Sequence, residues 1–143
     1  MVLVFKNEIL ALNALGIQCP PAGASHRATK AWRWVFDPLR THCFSPVAIK
    51  HPPRLLRANE PDEKCSCWAL SMYDSERESI RAFSRIEKNF KKIRKTLGSH
   101  VALVEILPSD GLCTPIDGNG HFDFHPYVGS KVSSSICTVQ PIP

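Results

Sequence analysis

An α+β domain is predicted for this chain, on three observations. Residues 75–97 carry apolar side chains at helical spacing, and short apolar or alternating runs of strand length lie on both sides of them. With 143 residues, 43% of them hydrophobic and 22% charged, the chain can bury one ordinary core. The predicted architecture is a single small domain over 1–143. A mostly antiparallel sheet packs against one long amphipathic helix, with a short N-terminal helix as a second cover. The same composition excludes a disordered chain, a collagen-like repeat and a coiled coil.

Asn7 to Leu15 reads as the N-terminal helix, with Asn7 as cap, Ile9, Leu10, Leu12 and Leu15 as apolar positions, and Gly16 as stop. Residues 17–30 hold Pro20-Pro21, Gly23 and Ser25 and read as loop. Ala31 to Phe36 and Phe44 to Ile49 fit short strands between prolines. Residues 54–64 are polar and read as exposed loop. Cys67 to Tyr73 suits a buried strand. Ser75 and Glu78 form a capping-box pattern. Ile80, Phe83, Ile86, Phe90, Ile93 and Leu97 then follow at spacings of 3, 3, 4, 3 and 4, and Gly98 is placed as the stop. One helix over 75–97 would be about 35 Å long. His100 to Leu107 reads as a strand. His121 to Tyr127 reads as a strand in which Pro126, unable to donate to a ladder, must lie on a sheet edge or at the strand's end. Ser133 to Val139 fits a last strand, and 138–143 reads as a flexible tail.

Charge is unevenly divided along the chain. Residues 1–74 hold 9 basic and 6 acidic groups, residues 75–97 hold 8 and 3, and residues 98–143 hold 1 and 4. Within the predicted helix Arg77, Arg81, Arg85, Lys88, Lys92 and Lys95 recur at spacings of 4, 4, 3, 4 and 3. On a helix they occupy a sector about 80° wide, opposite the apolar one. Neighbours of like sign repel by a few tenths of a kcal/mol per pair, so a merely solvated face would mix signs. The row suits an anionic partner, either nucleic-acid phosphates or an acidic protein. The acidic last third, Glu105, Asp110, Asp117 and Asp123, is the internal alternative that could neutralise it. Trp32, Trp34 and Phe36 alternate and share one strand face, as a core stripe or a stacking platform.

His121, Asp123 and His125 share a face if that segment is extended. Two imidazoles and a carboxylate can hold a divalent metal or supply a base and its orienter. Glu105 is a further candidate carboxylate for catalysis. Walker, dinucleotide-loop and nucleophile-elbow motifs are absent. Arg33 on an early strand, Ser71 at a strand end before a helix and Glu105 on a later strand form an order that resembles ADP-ribosyltransferase-like folds. That resemblance implies NAD as substrate. The six cysteines include no CxxC, and with no export signal they are read as reduced thiols in a cytoplasmic protein. No segment has the roughly 20 apolar residues of a membrane span.

The expected function is binding of an anionic partner, foremost nucleic acid, through the basic helix face. The alternatives are a small enzyme, metal-dependent or NAD-utilising, built on the His/Asp/His cluster, and a protein interaction module. Cofactor and oligomeric state are not legible.

Overall fold

Strand-forming residues divide into six strands: β1 (Thr29–Val35), β2 (Leu70–Tyr73), β3 (His100–Ile106), β4 (Gly111–Cys113), β5 (His121–Pro126) and β6 (Ile136–Pro141). In the computed structural model, which describes residues 1–143, they form one antiparallel sheet in the order β4-β5-β2-β1-β3-β6. Six helices accompany it: α1 (Lys6–Ala14), α2 (Val47–Lys50), α3 (Pro52–Leu56), α4 (Pro61–Ser66), α5 (Glu76–Asn89) and α6 (Ile93–Thr96). The molecule is the predicted single α+β domain. No helix is long and apolar enough to cross a membrane.

Alternation assigns the two faces of the sheet. Ala31 and Val35 of β1, Met72 of β2, Ala102 and Val104 of β3, and Phe122 and Phe124 of β5 form the main core, closed by Cys43 and Val132. The opposite face carries Trp32 and Trp34, which pack with Phe83 of α5, Ile93 of α6 and Val101. The Trp34 indole also donates to the carbonyl of Ser79 at 3.1 Å, which pins α5 to β1. Ser75 caps α5, its hydroxyl accepting from the Glu78 N–H at 3.1 Å.

Several expectations need correction. The helix over 75–97 is two helices. Phe90 leaves helical geometry (φ −132°, ψ 85°) and ends α5. Lys88, Lys91, Lys92 and Lys95 would have crowded like charges along a continuous helix, and the bend carries Ile93 into the apolar layer beside Phe83. Phe44 to Ile49 is not a strand, because Pro46 opens α2. Residues 54–64 are not all loop. They hold the end of α3 and most of α4, each with Pro in its first turn. Residues 138–143 are not a loose tail, since β6 runs to Pro141 along β3 and Ile142 is buried. Of the two places expected for Pro126 the structure has the strand's end, opposite Gly111, in a β5 that lies inside the sheet. Cys19 and Cys65 form a disulfide, while Cys43, Cys67, Cys113 and Cys137 are free.

Candidate functional site

β1 and β3 pair along seven registered positions, but β1 and β2 meet at only one, Trp32 opposite Tyr73. Where these two strands part, Arg33 fills the gap. It is 4% exposed, not the surface strand residue its sequence context suggests. Its guanidinium donates to three backbone carbonyls, those of Cys43, Ser71 and Ser45, each at 2.9 Å. No carboxylate pairs with it. Burial lowers its pKa to about 10, so it stays charged at neutral pH.

A cleft of about 420 Å³ opens beside Arg33. Lys50, His51, Arg54 and Arg57 enter it from α2, α3 and their ends. Ser71, Tyr73 and His121 come from the sheet, and Ile86 and Phe90 from α5. Lys50 has no salt-bridge or hydrogen-bond partner, and burial, reinforced by the Arg33 charge, pushes its pKa down to about 7. Arg54 pairs with Glu63 at 3.4 Å. Four Arg or Lys side chains line the cleft and no Asp or Glu does. His51 packs on Phe90 with ring centres 5.2 Å apart. Trp34 stacks on Tyr73 at 5.6 Å, and burial raises the Tyr73 phenol to about 12, which keeps it neutral.

On one wall the Ser71 hydroxyl hydrogen-bonds His121 Nε2 at 2.7 Å. The same nitrogen lies 3.6 Å from Asp123 Oδ1, and Nδ1 lies 3.9 Å from Asp117 Oδ2. Burial raises the Asp123 carboxyl above its ordinary value, with His121 pulling the other way. A hydroxyl next to an imidazole that is flanked by carboxylates can be activated by general base.

The fold separates other residues that the sequence grouped. His121 and Asp123 meet, but His125 does not join them. It lies under α1 and α4 against the Cys19–Cys65 pair, so the His121/Asp123/His125 metal site is not formed. Burial pushes His125 down to about 4. Arg33 and Ser71 meet, but Glu105 does not. It is exposed on β3 opposite Lys30, and Arg33 lies opposite Ala102 on the other face of the sheet. The three-residue pattern of the ADP-ribosyltransferase resemblance is therefore not assembled.

The basic row is open to solvent. Arg77, Arg81, Arg85 and Lys88 stand exposed on α5, Lys92 precedes α6, and Lys95 lies on it. Only Arg81 is ion-paired, with Glu78 at 3.3 Å. The acidic last third does not cover the row. Asp110 accepts from the Leu107 and Lys131 backbone, and Asp117 and Asp123 face His121.

Sequence reasoning missed Lys50, His51, Arg54 and Arg57. Their signal was a basic, proline-interrupted stretch, Lys50 to Arg57, which reads as solvated loop without the strand split beneath it. No protein-family model, curated protein or solved structure matches this chain.

Proposed function

We propose that the cleft binds a phosphorylated ligand of nucleotide size, with nucleic acid as the macromolecular form of that ligand. One observation carries the reading: the Arg33 guanidinium and the Lys50 amine share a partly enclosed cleft that no carboxylate lines. Unpaired buried charge is costly, and an anion that enters supplies the missing partner. The cleft's volume lies in the range of small-molecule sites. Trp34, Tyr73, Phe90 and His51 offer ring faces to a base. The exposed row on α5 adds to this. Arg85 is close enough to act on Tyr73, so phosphates flanking a bound nucleotide would follow the row from the cleft mouth. An acidic protein is the other occupant that the row suits. The proposed compartment is the cytoplasm, where a Cys19–Cys65 bond would be one that opens and closes rather than a permanent staple.

Calorimetric titration with AMP, with NAD and with a short single-stranded oligonucleotide tests the reading. All three should bind, more weakly as salt rises. Lys50→Met should weaken each by about ten- to a hundredfold, the value of a hydrogen bond to a charged group. Replacing Arg81, Arg85 and Lys88 with Glu should weaken only the oligonucleotide, with circular dichroism unchanged. If no nucleotide binds, or Lys50→Met binds as well as the parent, the reading fails.

The Ser71–His121 hydrogen bond favours a second reading, that the bound ligand is also turned over. Hydrolysis of NAD or nucleotide that Ser71→Ala abolishes without loss of binding would establish it.

A further inference from the structure

At the other end of β5 from His121, three donor side chains meet beneath α1 and α4. Cys19 comes from the loop after α1, Cys65 from α4 and His125 from β5. The two sulfurs and an imidazole nitrogen lie within 4.8 Å of one another. All three residues are buried, at 4%, 1% and 1% exposure. Neither ring nitrogen of His125 has a hydrogen-bond partner. The surroundings do not offer one, since Ile9, Leu3, Phe5 and Leu12 pack around the cysteine pair. An unpartnered buried polar group costs about 1–3 kcal/mol. Here an unpartnered imidazole nitrogen lies within 4.8 Å of two sulfurs, and thiolate with imidazole is a donor set for thiophilic metals.

We propose that, once the Cys19–Cys65 bond is opened, the two thiolates and His125 bind one thiophilic cation, Zn²⁺ or Cu⁺. The pair then alternates between a disulfide and a metal site. In the first step two thiols of a cellular reductant are oxidised to a disulfide, and their two electrons and two protons leave Cys19 and Cys65 as separate thiols. In the second step the cation replaces both thiol protons, which go to solvent. Metal bonds of roughly 2.0–2.3 Å set tetrahedral donors about 3.3–3.8 Å apart, a spacing that fits within the 4.8 Å spanning the three once the opened sulfurs move apart. The ligands come from a loop, a helix and a strand, so the metal would tie together the same segments as the disulfide. Three protein donors leave any fourth position to a solvent ligand, the arrangement of an open zinc site.

The test uses the full chain with Cys137→Ser, which removes the exposed free thiol and leaves the buried Cys43, Cys67 and Cys113. The protein is reduced with a thiol, desalted without oxygen and titrated separately with Zn²⁺, Cu⁺ and Co²⁺. One equivalent should bind, with release of two protons, protection of two thiols from alkylation and a thiolate-to-cobalt absorption in the near ultraviolet. X-ray absorption of the loaded protein should show two sulfurs and one imidazole. The oxidised chain should bind none. His125→Ala should weaken binding by tenfold or more, and if that variant does not fold, the X-ray absorption of the parent decides alone. A reduced chain that takes up no ion one-to-one, a His125→Ala chain that binds as tightly as the parent, or a metal shell without the imidazole overturns the proposal.

Discussion

Lys50 enters the cleft beside Arg33 without an acidic partner, and this single residue couples ligand affinity to pH. Its pKa is about 7 in the fold against 10.5 for a free lysine. Between those values the unfolded chain binds more protons than the native one, so stability rises as pH is raised from 7 toward 10.5. Anion affinity moves the other way, because the uncharged amine forming above pH 7 attracts phosphate less. Urea unfolding and nucleotide titration at pH 6, 7.5 and 9 should show stability rising while affinity falls. Lys50→Met should flatten both profiles and be more stable than the parent at pH 6. A parent whose affinity is unchanged from pH 6 to 9 would contradict this account. Arg33 has no such pH window, because a pKa of about 10 keeps it charged throughout.

The elements meet at close tolerances where β1 hands over to β3. Gly98, between α6 and β3, has φ +139°, and a Cβ there would lie 2.5 Å from the Val35 carbonyl oxygen. Gly16 after α1 also has positive φ, at +83°, but a Cβ there would meet nothing within 4 Å. Gly98→Ala should therefore cost roughly 2–3 kcal/mol, from strain plus collision with backbone. Gly16→Ala should cost only about 1 kcal/mol, from strain alone. Denaturant midpoints of the two variants check the difference. Both glycines were legible as helix stops, because their position after apolar-periodic runs is a local signal. α1, β1, β3 and β5 were legible for the same reason. The break at Phe90 was not, since the apolar period runs through it unbroken and gives no sign that Ile93 packs beside Phe83. β4 was too short to carry a period. Among site residues, the exposed row on α5 could be read from spacing alone. The cleft could not, because Arg33, Lys50, Ser71 and His121 come from four separate elements that only the strand split brings together.

For the molecule as a whole, the Cys19–Cys65 bond joins positions 46 residues apart in sequence. It ties the loop after α1 to α4, at the side of the sheet where β5 ends. A loop of that length, if left open in the unfolded chain, gives back about 4 kcal/mol of chain entropy. Thiol reduction in the presence of a chelator should lower the unfolding free energy by about that amount while the fold persists, which paired urea titrations will show. The pairing of β1 with β3 has a different consequence. Between Val35 and His100 only β2 rejoins the sheet, and the segment from Asp37 to Ala69, between β1 and β2, adds no strand while it supplies Lys50, His51, Arg54 and Arg57. Drift at those four positions alters which anions are admitted and leaves every ladder of the sheet unchanged. Selection can thus retune recognition at these lining positions while Cys43 and Cys65 of the same excursion stay fixed by the core and the disulfide, and related chains should diverge first at the lining positions between β1 and β2.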